Sequence, residues 1–219
     1  MAWKVAVLST LGHPSLVDLV EALQRDQLDV AAIILDGATP DVRGNEIEQE
    51  RLGALYEARP ITELEPYRVP VFFVSDHNNG ACVELVRRLN VEVLVNGGTP
   101  RRLKAPLLEA PRRGVVNSHP GLLPKYRGAT CVEWSIYHDD QVGATCHFMD
   151  GGVDTGPIIY AELLKIKTGW TYPHVRYAMK HHVIAVMVKG LLRVQQEDLS
   201  PCDLPAQGEG CSFHPIPKE

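Results

Sequence analysis

Residues 114–128 read GVVNSHPGLLPKYRG, and the alternation of apolar and polar residues in this stretch sets the architecture. Gly114-Val115-Val116 is an apolar run leading into Asn117 and His119. Side chains alternate faces along a strand, so Asn117 and His119 project to one side and Ser118 to the other. Pro120 cannot donate to a sheet ladder and keeps His119 extended, so the strand is expected to stop there. An amide and an imidazole thus stand side by side at the carboxyl end of a strand, where open α/β sheets bind their ligands.

Similar apolar runs recur outward from this one. Strands are expected near 3–9, 29–35, 70–74, 91–96, 114–119, 142–149 and 157–164. Helical periodicity falls near 14–25, 45–58, 79–89, 101–109, 131–138 and 171–195. Short apolar strands separated by helices indicate an α/β fold with a doubly wound, mostly parallel sheet. The last two strands follow each other closely and suggest an antiparallel edge. Two segments depart from the pattern. Residues 36–69 form a long polar excursion with one helix, and such insertions either line a site or are variable surface. Residues 198–219 are proline-rich and aperiodic, and are expected as a tail packed along the domain or partly disordered. The expected organisation is a catalytic domain over 1–197 and a C-terminal tail over 198–219.

Composition bounds the function. The 219 residues can bury a full core, and 45% apolar with 22% charged content is ordinary for a globular chain. No apolar run is long enough for a membrane span, and the start MAWKVAVLSTLGHP lacks the shape of a signal peptide. A cytoplasmic location and no membrane partner are therefore expected. A formal charge of −5 argues against a protein devoted to nucleic acid. The arginine pairs 87–88, 101–102 and 112–113 are interleaved with acidic residues and read as solvated faces. Five cysteines without a Cys-x-x-Cys pair read as reduced, mostly buried thiols.

Several chemistries fall away on spacing. The first strand-to-helix turn, STLGHPS, has one glycine where a dinucleotide fold wants three, and Asp36 alone is a weak ribose ligand. No phosphate-cradling Gly-x-x-x-x-Gly-Lys loop is present. His181 and His182 diverge on a helix, and His174 and His181 are two turns apart, about 10 Å by helix rise, so no metal site is expected. DGGVDTG (150–156) lacks the alternating acids of a calcium loop. Cys131 starts a helix, which would favour its thiolate, but burial is the commoner fate of such a residue. No Gly-x-Ser-x-Gly elbow exists.

What remains is the polar set Asn117, His119 and 150–157. The glycines of the second stretch let the backbone present bare N–H and C=O groups, and Asp154 adds a carboxylate. Amide, imidazole and carboxylate at strand ends suit acyl-type transfer: the first steadies an oxyanion, the second moves protons, the third orients the second. Each taken singly also fits a turn amide, a capping histidine or a turn aspartate.

Together, NSHPGLLPKYRG and HFMDGGVDTGPII (147–159) resemble the folate-dependent formyltransferase family. The order, spacing and sheet context of the two motifs agree over most of 3–165. The resemblance implies a Rossmann-like formyltransferase fold and transfer of a formyl group from 10-formyltetrahydrofolate to an amine, with no metal. It implies a catalytic triad of Asn117, His119 and Asp154, in which Asp154 raises and orients His119. It further implies that the folate's pterin is held through backbone by Asn96, Gly97, Gly98, Thr99 and Leu103 and by Asp150, Gly151, Gly152 and Val153.

Departures from the pattern bear on the acceptor. STLGHPS lacks the Gly/Ser/Asn-rich phosphate grip of members acting on glycinamide ribonucleotide. Members acting on initiator tRNA carry an extra C-terminal nucleic-acid-binding domain, and for an acidic chain ending at 219 tRNA is not the expected acceptor. The stretch around Trp134 is closer to enzymes formylating amino sugars or other small amines, which makes a small-molecule amine the expected acceptor. The alternatives are a formyltetrahydrofolate hydrolase, with water as acceptor, and a catalytically idle folate- or metabolite-binding module. A homodimer is compatible with the sequence.

Overall fold

The computed structural model describes residues 3–37, 42–57 and 59–216. Residues 38–41 and 58 of the polar excursion, and 217–219 of the tail, lie outside the described residues. The chain forms two compact units, Met1–Val116 and Asn117–Glu219.

The first unit alternates strand and helix: β1 (Lys4–Thr10), α1 (Leu16–Arg25), β2 (Asp29–Asp36), α2 (Val42–Leu52), β3 (Val71–Val74), α3 (Gly80–Leu89), β4 (Val93–Asn96) and α4 (Ala105–Leu108). Strand β5 (Val115–His119) carries the chain from this unit into the next. β1 pairs parallel with β2 and β4, β2 with β3, and β4 with β5. Val5 to Leu8 and Ile33 to Leu35 are fully buried. That continuous burial is why β1 and β2 read as unbroken apolar runs rather than as alternations. Asn79 caps α3 by accepting the Cys82 N–H at 2.7 Å, and Asn90 ends it in the left-handed conformation.

The second unit holds β6 (Tyr126–Gly128), α5 (Cys131–Tyr137), β7 (Gly143–Phe148), β8 (Ile158–Leu163), α6 (Tyr172–Glu197) and β9 (Cys211–Phe213). All six residues of β7 are buried, whereas the antiparallel edge strand β8 alternates. Helix α6 opens on a capping box between Thr171 and His174, with Pro173 in its first turn. His174 is thereby a cap. The hydrogen-bonded strand order is β3-β2-β1-β4-β5-β7-β8. This is the mostly parallel α/β sheet with an antiparallel edge expected from the sequence. Among the described residues, no helix is long and apolar enough to cross a membrane.

The differences from expectation are local. The helix expected over 101–109 shrinks to Ala105–Leu108, because Asn78 ties down the preceding backbone. Its side chain donates to the Arg102 carbonyl at 3.2 Å and accepts the Lys104 N–H at 2.8 Å. The helix expected to reach 58 ends at Leu52, and Ile61–Tyr67 is a 3-10 turn. Arg59 anchors the excursion within its own unit, reaching Asp18 at 2.7 Å and Glu21 at 2.8 Å. Strands β6 and β9 were not expected. Each has three residues, too few for a period-two pattern, and they pair parallel across the 82 intervening residues 129–210.

Candidate active site

Strand β5 ends at His119, and Asn117 and His119 share a face there. Ser118 points away, its hydroxyl donating to the Val183 carbonyl of α6 at 2.8 Å. The loop after β7 brings Asp154 to this pair. Asp154 Oδ2 lies 3.4 Å from His119 Nδ1 and accepts the Gly128 N–H at 2.9 Å. Asn117, His119 and Asp154 therefore converge within the second unit.

His119 is 5% exposed, and its Nε2 is 2.8 Å from the Tyr126 carbonyl oxygen. A carbonyl only accepts, so Nε2 carries the ring proton. In the neutral ring the lone pair is then on Nδ1, the atom facing Asp154. Burial dominates the ionisation of His119 and pushes its pKa below the ordinary histidine value. Asp154 pulls it upward, the charge of His147 pushes it down, and the Tyr126 carbonyl favours the charged form. The expected upward pull of Asp154 is present but is outweighed. Burial likewise pushes the Asp154 carboxyl up. The nearby His147 ring, the His119 charge and the Gly128 N–H together hold it below the usual carboxylate range.

A second imidazole, His147 of β7, completes the cluster. Its Nδ1 donates to the Phe148 carbonyl at 2.8 Å, so Nε2 is the accepting atom, and the Asn117 amide donates to it at 3.1 Å. His147 Nε2 also lies 3.6 Å from Asp154 Oδ1. It thus sets the rotation of the Asn117 carboxamide. The sequence reading passed over it, although it opens the motif HFMDGGVD. The loop after β5 is fixed by Thr145, which accepts the Leu123 N–H at 3.1 Å and donates to the Gly121 carbonyl at 2.8 Å. Gly121 leaves room for the imidazole: a Cβ there would stand 2.7 Å from His119 Nε2 and 2.8 Å from the Tyr126 carbonyl oxygen.

The residues expected to bind folate form two preorganised loops, one in each unit. In the first unit Asn96 Oδ1 accepts the N–H groups of Gly98 (3.2 Å) and Thr99 (3.0 Å). Ser9 donates to the Gly97 carbonyl at 2.7 Å, and Leu103 is buried. Thr99 Oγ1 lies 2.7 Å from His77 Nδ1, while His77 Nε2 donates to the Ile34 carbonyl at 3.0 Å. Asp36 accepts from Arg101 Nε at 2.6 Å and from the His77 backbone at 2.9 Å, and is 2% exposed. It is a buried counter-ion, not a ribose ligand. In the second unit Asp150 Oδ1 accepts from the Gly152 N–H at 2.9 Å and from Thr155 at 2.6 Å, while Gly151, Gly152 and Val153 are exposed.

The remaining candidates resolve simply. Burial pushes the Cys131 thiol up to about 12, which leaves no thiolate for nucleophilic attack. Trp134 packs against Phe213 with ring centroids 5.2 Å apart and donates to the His214 carbonyl at 2.9 Å. Among the described residues, no group of three His, Cys, Asp or Glu side chains is placed to hold a metal ion.

Residues 3–191 match the family model described as formyl transferase. A methionyl-tRNA formyltransferase of Trichodesmium erythraeum is 27% identical over 199 residues, covering 90% of this chain and 56% of the relative. The chain spans about half the length of the curated relatives it matches. Among solved structures, a phosphoribosylglycinamide formyltransferase from Anaplasma phagocytophilum superposes with a TM-score of 0.71 at 20% identity, covering 98% of this chain and 100% of that one. A sugar N-formyltransferase from a Shewanella species gives 0.64 at 15% identity, covering 97% and 78%. At these identities the two superpositions speak for the fold.

Proposed function

The chain belongs to the formyl transferase family, and from that premise we propose that it transfers a formyl group from 10-formyltetrahydrofolate to the amine of a small molecule, with Asn117, His119 and Asp154 as its catalytic residues. The observation that carries this reading is the proton placement on His119. The Tyr126 carbonyl holds the Nε2 proton, so the basic Nδ1 is presented beside Asp154.

The folate derivative supplies an activated formyl carbon on its N10. The amine adds to that carbon, and a C–N bond forms while the carbonyl electrons move to oxygen. Asn117 donates from its amide to the developing oxyanion, its carboxamide held by His147. Nδ1 of neutral His119 takes the proton that the attacking nitrogen must lose, and Asp154 stabilises the imidazolium so formed. The same proton passes to N10 as the C–N10 bond breaks. Products are the N-formyl amine and tetrahydrofolate. No protein nucleophile is required, which agrees with the unreactive Cys131.

The loops fit a ligand read through backbone. Gly151 to Val153 are exposed on a turn already fixed by Asp150, so little ordering entropy is lost on binding. Asn96 to Leu103 are proposed to contribute backbone contacts in the same manner. A small amine is favoured over glycinamide ribonucleotide because the first turn, STLGHPS, lacks a glycine-rich phosphate grip.

The test is tetrahydrofolate release from 10-formyltetrahydrofolate with and without a pool of amino sugars and amino acids, with His119→Ala as blank. Release that requires the pool supports the transferase. Equal release without amine points to hydrolysis, and folate binding without release to an idle module.

A further inference from the structure

We propose that Gln207, in the C-terminal segment, is a positioning residue that holds the Asp154 loop against His119. The inference rests on the reading that Asp154 and His119 act together.

Asp154 adopts a φ of +52°, a left-handed conformation strained for a residue that carries a Cβ. Something must hold it there. The Gln207 amide donates to two main-chain carbonyls of this loop, those of Asp154 at 3.2 Å and Gly156 at 2.6 Å. Its carbonyl oxygen accepts from Arg127 at 2.9 Å (Nη2) and 3.3 Å (Nε), and Arg127 also donates to the Gly208 carbonyl at 2.9 Å. One carboxamide therefore ties the catalytic loop to β6. Strand β6 supplies the other two restraints on the pair, the Gly128 N–H to Asp154 and the Tyr126 carbonyl to His119. Gln207 is half-buried in a stretch, Pro205 to Gly210, whose other residues are exposed.

The segment is itself seated firmly. β9 pairs with β6 in the register Tyr126 to Cys211 and Gly128 to Phe213. The Phe213 ring stacks on Tyr126 with centroids 5.3 Å apart and also meets Trp134. Gly128, at φ +91°, has no Cβ because one would run into the Phe213 carbonyl oxygen. Deletion of the segment would remove all of these contacts at once, so substitution of the single side chain is the sharper test.

Two variants separate donation from anchoring. Gln207→Ala loses both. Gln207→Glu keeps an acceptor for Arg127 but cannot donate to the two carbonyls. The readout is the titration midpoint of His119 by imidazole NMR, identified against His119→Gln. The groups facing that ring are Asp154, His147 and the Tyr126 carbonyl. Release of the loop withdraws the carboxylate, so the midpoint is expected to fall by about 0.5–1 unit in Gln207→Ala, since an opposite charge at this range shifts a pKa by roughly one unit or more, and by less in Gln207→Glu, whose added carboxylate opposes the fall. In the unaltered protein, the Gln207 side-chain amide protons should exchange more slowly than those of exposed glutamines, a measurement that needs no variant. An unchanged His119 midpoint in both variants, or Gln207 amide exchange as fast as that of exposed glutamines, overturns the proposal. Formyl transfer is assayed alongside. If transfer is absent from the unaltered protein while the midpoint shift is seen, the functional reading fails and the positioning role stands. If transfer is present and the midpoint does not move, the reverse holds.

Discussion

His119 donates a hydrogen bond from its Nε2–H to the Tyr126 carbonyl at 2.8 Å, and this bond decides which nitrogen is basic. Nδ1 is left to face Asp154 at 3.4 Å. The base is thus set by backbone seven residues downstream, and the acid–base character of the site follows from the geometry of the loop after β5.

Substitution of the converging residues should cut turnover sharply and spare binding. His119→Ala, Asp154→Asn and Asn117→Ala are each expected to lower kcat by about 10²–10⁴-fold, the range for loss of a general base or an oxyanion donor. Equilibrium binding of a folate analogue, followed by fluorescence, should change little. Retained turnover in His119→Ala would remove it from the mechanism.

The pH dependence has a definite sign. Burial lowers the His119 pKa on folding, so the folded state favours the neutral ring. That contribution is fully present above the unfolded value of about 6.5. As pH falls, it is lost progressively down to the folded pKa. Buried His77 shifts the same way, burial again being the main cause. Chemical denaturation between about pH 7 and 5 should show stability falling with pH, with a shallower slope in His119→Gln. Because the proposed transfer needs neutral Nδ1, kcat should decline over the same acid limb, with a midpoint below 6.5.

In the proposed mechanism His147 acts through Asn117 rather than on substrate. His147→Ala removes this restraint on the carboxamide, and a misaligned donor is expected to reduce kcat by ~10- to 100-fold with little change in KM. A KM effect larger than the kcat effect would instead mean that His147 contacts substrate.

Gly121→Ala should be damaging despite its small size. The added methyl would press on His119 Nε2 and the Tyr126 carbonyl at 2.7 and 2.8 Å, and must separate the two. A loss of about 1–3 kcal/mol is expected from overpacking at this buried point, measurable by urea titration, together with loss of transfer.

In the first unit, Arg101→Ala would leave the Asp36 carboxylate buried without its main cation. The thermal midpoint should drop, and Asp36→Asn in the same chain should recover part of it. No recovery would place the stabilisation in the arm of Arg101 rather than in its charge.

Much of the fold was legible because β1, β2, β4, β5 and β7 are buried almost throughout, so each appears as an apolar run with its end marked by a polar or proline residue. Asn117 and His119 were legible for the same reason: period-two geometry puts residues i and i+2 on one face, and Pro120 ends the strand. What pattern could not supply was every relation between distant segments. β6 and β9 are three residues each and find one another only in the folded chain. The placement of Asp154 beside His119, the amide of Asn117 on His147, and the carboxamide of Gln207 on the Asp154 loop join residues 30 to 53 positions apart. Local propensity carries no information about such contacts, since they are fixed by how the elements pack. The sequence by itself therefore determined the layered α/β architecture and the identity of the polar groups at the strand ends. Only the tertiary structure decided which nitrogen of His119 is basic, because that depends on a carbonyl brought to it by the turn that Gly121 and Thr145 shape.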